Sequence, residues 1–287
     1  MNIPKSLEAY EFEVLGEAIY FPFMDNKNYH EGPGLSSSKI RRFGVSQLHA
    51  LEEEMEDSSA LRFGTAAHAL VVEGETTFNN EIACLSGSPY TRANKEARAE
   101  FEARGLTVIS TEDRQKIFAM NEALIPEAKK MLQPSSNEYP LQFNFPYERA
   151  IYWWEGETFL KVKADVVRYP LQGVYSQNRI ILVDYKTTTD CSLRGFTNSI
   201  RKYQYDLQAA WYKQGFERAG FEVQDFFFVA QEKKPPYASK IFKMKAADLE
   251  RGWLELERLL GEYNAVKNGK AASVYNTPDL VEVELNK

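Results

Sequence analysis

The densest chemistry in this 287-residue chain lies in two strand-like segments, FLKVKADVV with Asp165 and RIILVDYK with Asp184 and Lys186. Side chains alternate along an extended strand, so Asp184 and Lys186 share a face with Ile180 and Leu182. In the earlier segment Leu160, Val162, Ala164 and Val166 share one face, and Lys161, Lys163 and Asp165 share the other. Carboxylates at the ends of adjacent strands can hold Mg²⁺ or Mn²⁺, and a lysine beside them can orient a water or offset negative charge. That combination suits phosphodiester hydrolysis, which needs a nucleophilic water at neutral pH and stabilisation of the leaving oxygen. A bare D-x-K also occurs wherever exposed residues alternate; here the apolar run IILV puts the charges at the edge of a buried strand.

His68 lies in FGTAAHALVVEG, where small residues allow close approach, and a neutral imidazole there is either a further metal ligand or a satisfied core histidine. His30 and His49 have no comparable context. Gln204, Gln208 and Tyr212 recur at i, i+4 along IRKYQYDLQAAWYKQGFERAG, giving a helix face that can contact a phosphate, brace a site, or border a core of Leu207, Trp211 and Phe216. Basic groups at Lys39-Arg41-Arg42, Arg92-Lys95-Arg98 and Arg201-Lys202 are candidate phosphate contacts or solvated helix faces.

The elements that must position these residues change character along the chain. From Leu35 to about Lys130 the pattern is mostly helical, with Ser36 or Ser37 and Thr111 as cap candidates and Ile117, Met120 and Leu124 at helical spacing. Around Gln133-Pro134-Ser135-Ser136-Asn137 it becomes a linker, and alternating strands follow, folded back at Glu155-Gly156-Glu157. After the long helix, closed by Gly220, DFFFVAQE and SKIFKM read as strands, and DLERGWLELERLLGEYNAVKNG as a final amphipathic helix. This order predicts an α/β fold with a mixed central sheet. We read residues 1–34 as an N-terminal extension, 35–133 as the mostly helical part of the main domain 35–287, and 138–270 as its sheet-bearing core.

Bulk properties narrow the options. With 44% hydrophobic and 26% charged residues the chain is ordinary globular protein. No apolar run approaches the roughly 20 residues needed to cross a bilayer and no signal peptide is evident, which predicts a cytoplasmic protein without a membrane partner. Two cysteines, Cys84 and Cys191, are too few for a four-thiolate centre. A net charge of −6 excludes a globally basic nucleic-acid binder but not a local basic groove.

Together LSSSKIRRF, LRFGTAAHALVVEG, ERAIYWWEGETFLKVKADVV, ILVDYKTT and YQYDLQAAWYKQGF resemble, in order, the RecB-like branch of the PD-(D/E)xK nucleases, and within it the exodeoxyribonuclease VIII (RecE) C-terminal family of phages and prophages. The resemblance implies a restriction-endonuclease-like central mixed sheet flanked by helices. It implies His68, Asp165 and Asp184 as metal ligands, Lys186 as catalytic lysine, and Gln208 and Tyr212 as the Q-x-x-x-Y motif. Glu73 and Glu148 fall in matching segments as outer-shell groups. It further implies a Mg²⁺-dependent 5′ to 3′ exonuclease acting on double-stranded DNA ends to leave single-stranded tails for recombination, a ring-like homo-oligomer and a single-strand annealing partner of the RecT type. A structure-specific endonuclease of the same fold and a non-catalytic DNA-binding scaffold are the alternatives. The second acidic residue is Asp where many of the wider superfamily have Glu.

Overall fold

In the computed structural model, which describes residues 3–22, 24, 26–52, 58–135, 137–139, 147–170 and 178–275, the chain opens with two short strands. These are β1 (Glu13–Leu15) and β2 (Ala18–Phe21), turned at Gly16, whose φ of 56° suits a residue without a β-carbon. Helix α1 (Asn26–Glu31) and the two-residue strand β3 (Leu35–Ser36) lead into α2 (Ser37–Val45), capped by Ser36, and α3 (Gln47–Glu52). Helix α4 (Ser59–His68) runs into a π turn over Ala69–Glu73, followed by α5 (Glu75–Glu81). A small parallel pair, β4 (Ile82–Leu85) and β5 (Thr107–Ser110), brackets α6 (Arg92–Ala103). Helices α7 (Thr111–Ala123) and α8 (Pro126–Leu132) follow; the α7 cap is Ser110, one residue before the expected Thr111, because the Ser110 hydroxyl accepts the Asp113 amide at 3.0 Å.

The second half supplies the long strands: β6 (Tyr147–Glu155), β7 (Thr158–Arg168) and β8 (Arg179–Thr188). Then come α9 (Leu193–Tyr203), α10 (Tyr205–Arg218), β9 (Glu222–Glu232), β10 (Ser239–Lys243) and α11 (Ala246–Lys267). Among the described residues eight strands form one sheet in the order β1-β2-β6-β7-β8-β9-β10, with β3 on the free side of β7. All neighbours are antiparallel except β8/β9 and β3/β7, so the sheet is mixed, as the element order predicts. The hairpin turn at Gly156-Glu157 is where the sequence puts it, with Glu155 paired to Thr158. The segment before Leu35, which has no legible pattern, contributes β1 and β2 to this sheet through pairing of β2 with β6. The FNFP run ahead of β6, the end of the LHALEEEME stretch, Ser136 of the linker and the chain beyond Tyr275 lie outside the described residues.

Helices cover both faces. On one, Trp153, Leu160, Val162, Ile180, Leu182 and Phe228 pack against Phe43, Phe196, Trp211, Phe216 and Leu256. On the other, Ile181, Val183, Tyr185 and Val229 meet Phe63, Ala66, Leu70, Ile117, Met120 and Leu132. A third cluster, including Leu7, Ile19, Phe21, Tyr29, Tyr152 and Phe159, fixes the N-terminal segment to the sheet. Burial of each large apolar side chain stabilises the fold by roughly 1.5–3 kcal/mol, so all three contribute.

Two local expectations are corrected. Val166 does not share the face of Leu160, Val162 and Ala164; it packs in the second cluster, while its neighbour Val167 packs in the first. Strict alternation slips at Asp165, where β7 passes from β3 to β8 as its second neighbour. The helix IRKYQYDLQAAWYKQGFERAG is broken at Gln204, whose φ of 52° and ψ of 47° are left-handed, so α9 and α10 are separate. Gln204 therefore leaves the face that Gln208 and Tyr212 share.

A candidate metal centre at the crossing of four elements

The small residues Ala66, Ala67 and Ala69 are fully buried and bring the end of α4 down onto the sheet. His68, the last residue of α4, points at the strands. The π turn that follows carries Glu73 back beneath it, Nδ1 to Oε1 3.3 Å, as the wider i, i+5 turn allows. The close approach comes from these alanines and not from Gly64, where a β-carbon would meet nothing within 4 Å.

Strand β6 provides Glu148 from a left-handed backbone, φ 52°, unusual for a residue with a side chain and costly unless its surroundings impose it. The β6/β7 ladder pairs Tyr147 with Val166 and Arg149 with Ala164 but skips Glu148 and Asp165, which both leave the regular pleat. Asp165 is fixed by β8, its Oδ2 accepting the Tyr185 amide at 2.8 Å. His68 Nε2 then faces Glu148 Oε1 at 3.5 Å and Asp165 Oδ2 at 3.4 Å. These three groups offer ligand atoms within 4.8 Å of one another.

Asp184 and Lys186 occupy one face of β8, as alternation predicts. Lys186 Nζ lies 2.5 Å from Asp184 Oδ2, and the amide of Gln208 on α10 donates to Asp184 Oδ1 at 2.7 Å. Asp184 is thus held by a lysine and an amide and adjoins the three-ligand cluster rather than forming part of it. Glu148, expected only in an outer shell, sits inside the cluster. Glu73, expected in the same outer shell, faces Nδ1 of His68, the nitrogen other than the one that meets Glu148 and Asp165.

The electrostatics follow from burial. For Asp184, loss of water and the nearby Asp165 charge outweigh Lys186 and push the carboxyl up to about 7. Burial also opposes charge on Asp165, but His68 and Lys186 prevail and hold it below the usual carboxylate range. Burial disfavours charge on His68, yet Asp165, Glu73 and Glu148 keep its pKa well above normal. Burial likewise opposes charge on Lys186, which Asp184 and Asp165 keep protonated. The residues fit a divalent cation on an observation of this fold: His68 Nε2 is buried without a well-formed hydrogen bond, and two carboxylate oxygens converge on it.

The surrounding residues sort by side. Tyr212 borders Gln208, and its hydroxyl is held protonated first by burial and then by the Asp184 and Asp165 charges. Arg41 reaches the same side: its guanidinium is desolvated, lies near Tyr212, Tyr205 and Asp184, and donates to the carbonyl of Tyr203 at 2.5 Å. Arg42 does not follow it. Consecutive helix positions diverge by about 100°, and Arg42 donates to the His49 carbonyl at 3.3 Å. Gln204 holds the helix break, its carbonyl accepting the Gln208 amide. Arg92 and Arg98 pair with Glu96 and Glu102 along α6.

Two further neighbours, neither of them a candidate on sequence grounds, adjoin the site. Lys163 Nζ contacts Glu148 Oε2 at 2.5 Å and donates to Asn26 Oδ1 at 2.7 Å. The Tyr205 ring lies 5.1 Å from Lys186 Nζ. Alternation places Lys163 on the face of Asp165 but gives it no partner, since Glu148 reaches it only through its left-handed backbone, and Tyr205 lies off the expected helix face.

Comparison with known proteins gives the frame for this site. No curated protein matches the chain. Among solved structures, one from Eubacterium rectale described as "Putative exonuclease" has a TM-score of 0.60 at 16% identity, covering 92% of this chain and 96% of that one. That degree of identity shows a shared fold. A family described as "PDDEXK-like domain of unknown function (DUF3799)" matches residues 36–278. Since that match takes in the cluster of His68, Glu148 and Asp165 together with Asp184 and Lys186, the chain belongs to this PDDEXK-like family.

Proposed function

We propose that the chain is a divalent-metal-dependent deoxyribonuclease, and specifically a Mg²⁺- or Mn²⁺-dependent exonuclease that digests one strand of duplex DNA from its 5′ end and leaves single-stranded tails. The observation that carries this reading is the convergence of His68, Glu148 and Asp165 beside the Asp184–Lys186 pair. A bound cation would supply charge neutralisation at the phosphate and a water of lowered pKa. His68, Glu148 and Asp165 would hold it, with Asp184 alongside. Lys186, kept protonated at 2.5 Å from Asp184, can orient the water or meet charge developing on the phosphate. Gln208 fixes Asp184, and Tyr212 and Arg41 line the approach. The exonuclease choice rests on the shared fold with the Eubacterium rectale protein and on the RecE-like sequence segments; the RecT-type partner and ring-like assembly belong to the same proposal. Among the described residues no helix is long and apolar enough to cross a membrane.

The test is digestion of linear and closed-circular duplex DNA with Mg²⁺, with Mn²⁺ and with chelator, for wild type, Asp184→Ala and Lys186→Ala. Metal-dependent loss of linear DNA only, abolished in both variants, is the expected result. Equal attack on closed circles would make the enzyme an endonuclease of the same fold, and absence of any metal-dependent hydrolysis would remove the nuclease reading.

A further inference from the structure

Beside the proposed hydrolytic site the helix break at Gln204 presents an aromatic pair, of which Tyr205 packs on the core through Phe196 and Phe228 while Tyr203 faces outward. Tyr203, the last residue of α9, is 49% exposed. Its ring stacks on that of Tyr205, centroids 5.5 Å apart and planes inclined by 28°. Tyr205 in turn lies over Lys186 Nζ at 5.1 Å, so the two rings form a line leading outward from the proposed catalytic lysine. The left-handed conformation of Gln204 makes this possible: in a continuous helix, residues two apart point to nearly opposite sides and could not stack.

The flanks carry positive charge. Lys202 Nζ sits 5.2 Å from the Tyr203 ring, and Arg41 binds the Tyr203 carbonyl. Arg201, also in the last turn of α9, is exposed. In a chain of net charge −6 this is a local cationic margin around an exposed aromatic face. An aromatic face with basic neighbours is how proteins hold unpaired nucleic-acid strands without regard to sequence, because every base has a π face and every nucleotide a phosphate.

We propose that Tyr203, backed by Tyr205, is a stacking platform for an unpaired base of the DNA strand next to the phosphate held at Lys186. This deepens the nuclease reading and rests on it. The platform gives the enzyme a preference for frayed or single-stranded ends over intact duplex, since an unpaired base is free to swing onto Tyr203 whereas a paired one is held in the duplex stack.

Binding is measured by anisotropy with Ca²⁺ in place of Mg²⁺, on blunt duplexes and on duplexes with unpaired ends carrying 2-aminopurine. Wild type, Tyr203→Ala, Tyr203→Phe and Lys202→Ala are compared. We expect 2-aminopurine quenching in wild type and Tyr203→Phe. Tyr203→Ala should abolish it, with a roughly ten-fold or greater loss of affinity confined to unpaired ends. Lys202→Ala should weaken all ends alike and lower the salt dependence. If Tyr203→Ala binds unpaired ends as wild type does with quenching unchanged, while wild type still hydrolyses DNA with Mg²⁺, the platform is wrong and the nuclease reading stands. If wild type neither binds nor hydrolyses any of these DNAs, both fall.

Discussion

The side-chain amide of Gln208, on α10, donates to Oδ1 of Asp184, on β8, across 2.7 Å, and both side chains are buried. This contact ties the helix to the strand that carries the Asp184–Lys186 pair. Replacing Gln208 with Ala leaves a buried carboxylate short of a partner, which costs about 1–3 kcal/mol. Gln208→Ala should therefore unfold at lower urea and lose at least ten-fold in hydrolysis rate. Gln208→Glu should be worse in rate, because a second carboxylate replaces the donor with a like charge. Unchanged rates in both would show that Asp184 needs no brace.

The metal proposal has a readout that does not depend on catalysis. A ligand that binds the folded chain alone raises its stability by about 2.7 kcal/mol at 100 times its dissociation constant. Mn²⁺ should raise the melting temperature of the wild type, and His68→Ala and Asp165→Asn should show little of that rise. Lys163→Met is the more informative variant. Lys163 holds Glu148 Oε2 and is itself held by Asn26, so its loss frees a carboxylate of the cluster. Metal affinity should fall about 10- to 100-fold, the range for partners that orient ligands. A Mn²⁺ titration followed by melting checks this, and an affinity equal to wild type would refute it.

The sequence carried the strands and their chemistry well because alternation is a short-range rule. Asp184 and Lys186 sit on one face of β8 for the reason that also buries Ile180 and Leu182. The same rule failed at Val166, where β7 changes neighbours at Asp165 and the slip is set by tertiary pairing. Glu148 is hard to place from sequence for a related cause: its position in the cluster depends on a left-handed φ that no residue type at that position announces. Gln204 falls on the face of Gln208 and Tyr212 only if the helix is unbroken, and i, i+4 spacing does not show the break. Residues 1–34 were opaque because β1 and β2 are short and stabilised by pairing onto β6 rather than by their own pattern.

Gly215 marks how closely α10 must approach the sheet. A β-carbon there would lie 2.8 Å from Trp153 Cζ3 and 2.8 Å from Val162 Cγ1, both in the core. Alanine would gain up to about 1 kcal/mol of helix propensity, but overpacking a filled core costs about 1–3 kcal/mol. Gly215→Ala should be destabilised on balance, whereas Gly261→Ala on α11, with nothing within 4 Å, should be stabilised by as much as about 1 kcal/mol. Urea unfolding of the two variants gives opposite signs if the packing is as described, and a stabilised Gly215→Ala would contradict it.

Lys161 gives a pH dependence of defined sign. Its ammonium is buried and donates to the carbonyls of Tyr29 at 2.5 Å and Gly32 at 2.7 Å, at the end of α1. Burial, with a smaller contribution from Lys39, brings its pKa down from 10.5 to about 8. The folded chain then binds fewer protons than the unfolded chain between pH about 8 and 10.5, so stability must rise with pH through that window. Below it the full cost of the buried charge is present. Tyrosines held protonated by burial, such as Tyr20 and Tyr152, act in the opposite direction as pH nears 10, so the comparison must be made against a variant that keeps them. In urea unfolding from pH 7 to 9.5, wild type should gain stability relative to Lys161→Met. A constant difference across that range would mean that Lys161 titrates alike in the folded and unfolded chains, and that the carbonyls of α1 fully compensate its loss of water.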